Sequence, residues 1–120
     1  DDLGPFFVKG SEKIVDLNTQ NLPGTPMKVS GFVYGGEGQS NPLADVKIEI
    51  WHCDDAGAYH PNGSGDINDY DQEEITLRGY VVTDENGAFQ FKSILPGLYA
   101  RRARHIHYKI TAKKYQDLTT

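Results

Sequence analysis

The sequence predicts an all-β protein folded as an antiparallel β-sandwich. Short β-rich runs alternate with turn signals along the chain, and no segment keeps a helical period. Several runs alternate apolar and polar side chains with period two, as strands with one buried face do. No repeat or low-complexity linker divides the sequence, so we expect a single domain over residues 1–120.

Five runs have the composition and the bounds of strands. They cover residues 27–34, 46–53, 79–83, 88–94 and 105–112. The second run alternates most clearly, with Val46, Ile48 and Ile50 on one face. Residues 84–87 end in Asn-Gly, a hairpin signal, and therefore predict that the third and fourth runs pair with each other.

Charge and composition exclude several classes of protein. The formal net charge of −5 gives no electrostatic footprint for nucleic acid. No apolar run approaches the roughly 18 residues that span a membrane. The composition is that of a soluble globular protein. Its compartment stays open, because Cys53 is the single cysteine and allows no intrachain disulfide. We interpret Cys53 and the nearby Trp51 as packing residues.

Two histidines on the last predicted strand are candidate metal ligands. His105 and His107 lie two residues apart, so strand alternation places both imidazoles on one face. Imidazole suits several transition metals, whereas a phenolate is a hard oxygen that suits a high-valent ion. Tyr59 and Tyr99 precede the pair. Two phenolates together with two imidazoles indicate ferric iron.

A zinc site built on the same two histidines is the alternative at this point. Zinc would take at least a third ligand, and His52, His60 and Cys53 are available. A zinc hydrolase on His105 and His107 would also need a carboxylate base, and none stands at a matching position. His52 is otherwise interpreted as a residue beside the site.

The pattern Tyr99-x-x-Arg102-x-x-His105-Ile106-His107 resembles the intradiol ring-cleavage dioxygenases, enzymes that open catechol or protocatechuate with non-haem Fe(III). Four further segments resemble the same family in matching order. They are residues 3–8, 44–52, 78–80 and 83–89. The resemblance therefore covers most of the chain.

The resemblance implies a role for each candidate residue. Tyr59 and His105 would be the equatorial ligands of the iron, and Tyr99 and His107 the axial ligands. Tyr99 would also be catalytic, since it would leave the metal when substrate binds. Arg102 would be the active-site cation that stabilises negative charge on the substrate.

The implied partners are a catechol-type aromatic substrate and O2, and the implied product is a muconic acid. Three residues would line the substrate pocket, namely Gly4, Pro5 and Phe6. Arg104 stands where the family usually has a small residue or proline, so it would add charge near the iron.

Two further interpretations stay open. The sandwich could be a non-enzymatic binding module. The chain could also be an inactive or incomplete family member, because family members continue through further strands beyond Thr120. We expect a catalytic core truncated at its C-terminus, with a sheet edge left uncovered. The sequence does not decide whether the protein is a homo-oligomer.

Overall fold

The computed structural model describes residues 6–36, 38, 40–97 and 106–112, and the backbone of residues 118–119. These residues form ten strands and two 3₁₀ turns, Ile67–Asp69 and Gln72–Glu74. The strands are β1 Val8–Lys9, β2 Pro26–Phe32, β3 Tyr34–Gly35, β4 Asn41–Pro42, β5 Lys47–Trp51, β6 Gly65–Asp66, β7 Arg78–Val82, β8 Ala88–Ile94, β9 His107–Thr111 and β10 Leu118–Thr119. In this part of the chain, no helix is both long enough and apolar enough to cross a bilayer.

The central sheet has the strand order β10–β9–β5–β7, with every neighbouring pair antiparallel. The antiparallel pair β2–β8 forms the second layer of the sandwich. Two short pairs, the antiparallel β3–β4 and the parallel β1–β6, complete the arrangement in the described residues. The predicted all-β, antiparallel fold is confirmed.

The main core lies between these two layers. Period-two alternation turns Ile48 and Ile50 of β5 inward, and each is 1% exposed. Phe91 of β8 meets them from the other layer and is fully buried. The remaining buried members of this cluster are Leu17, Val46 and Val81. The alternation read from residues 46–53 therefore assigns the core face of β5 correctly.

The turn at residues 84–87 joins the two layers instead of closing a hairpin. Asp84 stabilises it, because its carboxylate accepts hydrogen bonds from the amides of Asn86 and Ala88. Gly87 has φ +76°, and a Cβ there would lie 2.7 Å from the carbonyl oxygen of Val33. After the turn, β7 pairs with β5 whereas β8 pairs with β2. The predicted hairpin is wrong, since the buried faces and not the turn choose the partners.

Candidate metal centre

The face of the central sheet that points away from the main core carries the candidate site. Trp51 of β5 stands opposite Arg78 of β7 and also opposite His107 of β9. Side chains in such a cross-strand row project from the same face and can touch. The row Arg78–Trp51–His107 thus runs across three strands of one sheet.

Tyr59 and His107 meet in space although 48 residues separate them in the sequence. The Tyr59 hydroxyl lies 3.1 Å from Nε2 of His107. Tyr59 belongs to the segment between β5 and β6 and is 5% exposed. The Phe6 ring stacks on the Tyr59 ring, with centroids 4.2 Å apart and planes 1° from parallel. A phenol oxygen and an imidazole nitrogen therefore converge at a nearly buried point.

Aromatic rings fix the orientation of the His107 imidazole. The Trp51 ring lies 5.3 Å from it, centroid to centroid, at an interplanar angle of 11°. Phe7 packs its edge against Trp51 at 4.9 Å. Trp51 is 2% exposed, and its indole nitrogen is buried without a hydrogen-bond partner in the described residues. Trp51 thus packs as the sequence predicted, and it also holds a candidate ligand.

Asp54 organises the turn that leads into Tyr59. Its Oδ1 accepts hydrogen bonds from the amides of Ala56 and Ala58, both at 2.9 Å. Its Oδ2 lies 2.8 Å from Nε2 of His60. Burial by itself would raise the pKa of Asp54, but the bonds from His60 and the two amides lower it below its ordinary value. Asp54 and His60 therefore shape the segment on both sides of Tyr59.

Arg78 is a buried cation that the sequence reasoning did not single out. It is 4% exposed and donates to the backbone oxygens of His60 and Pro61, each at 2.8 Å, and of Phe6. Burial lowers the pKa of Arg78 to about 10, against the opposing influence of Tyr59 and Tyr70, so it stays charged near neutral pH. The one feature of the sequence that could have indicated Arg78 is its position as a charged residue directly before a predicted strand.

The three residues proposed as further zinc ligands have other partners. His52 is fully buried, with Nδ1 2.6 Å from the Cys53 carbonyl and Nε2 2.7 Å from the Ser93 hydroxyl. His60 is paired with Asp54, and the Cys53 thiol donates to the Gly97 carbonyl at 3.7 Å. Within the described ranges, no three His, Cys, Asp or Glu side chains form a group able to hold a metal.

Several predicted site residues lie outside the described residues. These are Gly4, Pro5, Tyr99, Arg102 and His105. The described members of the predicted site, Phe6, Tyr59 and His107, lie together. The donor chemistry of Tyr59 and His107 fits a hard ferric ion with mixed oxygen and nitrogen ligands.

Known dioxygenases are similar to this protein over nearly the whole chain. The family model described as Dioxygenase matches residues 3–120. Catechol 1,2-dioxygenase of Acinetobacter baylyi is 28% identical over 140 residues, which cover 98% of this chain and 43% of that protein. The chain therefore spans less than half the length of this curated relative.

Two solved structures share the fold. The dioxygenase domain of a dioxygenase carbohydrate-binding protein fusion from Streptomyces sp. SirexAA-E has a TM-score of 0.79 and 36% identity, covering 100% of this chain and 70% of that one. The intradiol ring-cleavage dioxygenase from Tetranychus urticae has a TM-score of 0.75 and 28% identity, covering 92% and 56%.

Proposed function

This chain belongs to the intradiol dioxygenase family, and on that premise we propose that it forms the catalytic core of an enzyme that cleaves a catechol. The ring would open between the two hydroxyl-bearing carbons, with O2 as co-substrate and a muconic acid as product. The observation that carries the proposal is the approach of the Tyr59 hydroxyl to Nε2 of His107, at 3.1 Å. A phenol and an imidazole converge there, and this pair of donors supports the proposal that both residues bind iron.

Four residues would hold the metal. They are Tyr59, Tyr99, His105 and His107. Ferric iron would supply, when bound, the Lewis acidity that makes the catechol ring reactive toward O2. An ordinary phenol has a pKa of about 10, so ligation by tyrosine near neutral pH would depend on the positive charge of the metal, which favours phenolate.

The side chains would divide the remaining work. Tyr99 would accept a substrate proton at its phenolic oxygen as it leaves the metal, whereas Tyr59 would stay in place. Arg102 would stabilise the negative charge that develops on the substrate. Phe6 would form an apolar wall of the substrate pocket with Gly4 and Pro5. The stack of Phe6 on Tyr59 supports a position for that wall beside the proposed ligand.

The experiment uses the full protein, purified without added metal and then supplied with iron. We expect one iron per chain, a visible absorption band from tyrosinate bound to ferric iron, and consumption of catechol and O2 in equal amounts. Tyr59→Phe should remove much of the band and most of the iron. Tyr34→Phe, at a tyrosine that is 49% exposed, is the control and should change neither. A colourless protein that binds stoichiometric zinc and no iron would exclude the proposal.

Arg102 can be tested on the same protein. Replacing Arg102 with Leu should leave the iron content and the visible band in place while turnover falls by about two orders of magnitude, the usual cost of one lost electrostatic donor. Undiminished turnover would place Arg102 outside the reaction.

A further inference from the structure

We propose that Arg78 is a positioning residue that sets where Tyr59 meets the metal. The proposal deepens the iron site described above and rests on the proposed function. Arg78 is not one of the proposed metal ligands. Its guanidinium donates hydrogen bonds to backbone carbonyls. It would act on the metal through Tyr59 and not by contact with the substrate.

The contacts of Arg78 surround Tyr59 on two sides. Nε and Nη2 donate to the carbonyls of His60 and Pro61, the two residues that directly follow Tyr59. Nη1 donates to the carbonyl of Phe6, whose ring stacks on Tyr59. One planar group thus fixes the backbone after the tyrosine and the backbone of the ring that covers it. A guanidinium can do this because its donors form a rigid fork.

The cross-strand row that contains Arg78 and Trp51 positions both Tyr59 and His107. Trp51 stands between Arg78 and His107 in the register of β7, β5 and β9. His107 is held by its stack on Trp51, and the Tyr59 segment is held by Arg78. The distance between the phenol and the imidazole is therefore set from one sheet, although the two residues belong to distant parts of the chain.

The buried charge of Arg78 argues against a role in packing alone. A buried charge is costly, and an apolar side chain of similar size would often stabilise the fold as well. Among the described residues, no carboxylate lies within ion-pair distance of Arg78. Three carbonyls take its place, and all three belong to the Tyr59 neighbourhood. A charged residue at position 78 is explained if the geometry around Tyr59 is needed for metal binding.

The first test compares Arg78→Met and Arg78→Lys with a matched control in the iron-loaded protein. Both variants should lower iron affinity by about 10- to 100-fold, the usual effect of losing a group that orients a ligand, and should shift the visible band. Lysine should not restore them, because a single ammonium cannot reach three carbonyls. Arg78→Gln replaces either variant that fails to fold.

Thr83→Val is the control for a purely structural effect. Thr83 is 2% exposed, accepts a hydrogen bond from the Val46 amide at 2.9 Å and donates to the Leu43 carbonyl at 2.6 Å. Its loss should reduce stability while iron affinity and the visible band stay as in the wild type. If the Arg78 variants also lose stability with affinity and band unchanged, Arg78 is structural and the proposal is wrong.

A second readout uses the metal-free protein, so that failure of the iron assignment can be told apart from failure of the Arg78 proposal. The ring resonances of Tyr59, assigned by Tyr59→Phe in protein with isotope-labelled tyrosine, should be displaced by the stacked Phe6 ring. Arg78→Met should move these resonances and Thr83→Val should not. Unmoved resonances in Arg78→Met would overturn the positioning role, whether or not the wild type binds iron.

Discussion

The two faces of strand β5 are buried to a similar depth but are built from different chemistry. Ile48 and Ile50 on one face are each 1% exposed, and Trp51 and Glu49 on the other are 2% and 7% exposed. The first face meets apolar side chains of β2 and β8. The second lies in the row that includes Arg78 and a histidine.

The difference shows that burial alone does not mark a functional region. Apolar groups stabilise a fold through the area they remove from water, and they tolerate changes that conserve volume. Buried polar groups instead need a partner at a defined position. Arg78 and Tyr59 meet this requirement through directed contacts, so small displacements should be felt in function before they are felt in stability.

The largest loss of stability is expected from removing the Phe91 ring of β8, which packs in the main core. Phe91→Ala leaves a cavity among fully buried neighbours and should lower the free energy of unfolding by about 3–5 kcal/mol. Urea unfolding measures this loss. Molecules that remain folded should keep the visible band of the iron site. If Phe91→Ala loses the visible band under conditions in which all molecules are folded, the core face and the site face depend on each other.

On the site face, a smaller loss of stability is expected together with a loss of iron affinity. Trp51→Leu should cost about 2 kcal/mol of stability, because a leucine fills only part of the space. It should also weaken iron binding by about tenfold, since His107 loses the ring that orients it. Trp51→Phe keeps a ring on His107 and should retain most of the affinity. Equal affinities for the two variants would show that the stack has no orienting role.

His52 provides a pH-dependent test at the polar end of the core face. Burial lowers the pKa of His52 below its ordinary value of 6.5, against an opposing hydrogen bond to the Cys53 carbonyl. The unfolded chain therefore binds the proton more readily, and stability should fall as the pH drops below about 6.5.

Urea midpoints of the wild type and of His52→Gln, measured between about pH 5 and 8, isolate this contribution by difference. The glutamine does not titrate, so its midpoint should vary less over that range. Asp54 does not interfere, because its lowered pKa places its contribution at more acidic pH, below its ordinary value of 3.8. Parallel pH profiles for the two proteins would exclude His52 as the source.

The smallest effect is expected from Lys47 at the edge of the site face. Its ammonium lies 3.8 Å from Glu49 and its side chain is 43% exposed. Such pairs contribute about 0–1 kcal/mol and are screened by salt, so Lys47→Ala should barely change urea unfolding. The contrast with the Arg78 variants separates an exposed cation from a buried one. A large loss of stability for Lys47→Ala would show that the charge of Lys47 matters to the fold despite its exposure.

Local patterns in the sequence predict which face a side chain occupies. The alternation in the last predicted strand places His105, His107 and Lys109 on one face. Of the described residues of β9, Lys109 lies over the Phe7 ring, whereas Tyr108 and Ile110 pack against the main core. Likewise, the clean alternation of Val46, Ile48 and Ile50 gives the core face of β5. Period two is a property of the backbone, so it can be read without knowing the fold.

Partners that are distant in the sequence could not be predicted in this way. The Asn-Gly turn is real, but β8 pairs with β2 because their apolar faces complete the second layer. His52 was a candidate beside the metal, and a serine 41 residues away engages it instead. Arg78 was passed over because its three acceptors are carbonyls, which leave no mark in a sequence. The meeting of Tyr59 with His107 was expected only from the family resemblance.

The long reach of these contacts has a consequence for how the protein is made. The Tyr59–His107 contact spans 48 residues and the Arg78–Phe6 contact spans 72. Chains dominated by such distant contacts must close large loops before any of them forms, and they fold slowly. The contact between Tyr59 and His107 therefore cannot form in a nascent chain that has not reached β9. On the proposed function, iron would bind only after β9 is in place, and it would stabilise the folded state by binding to it.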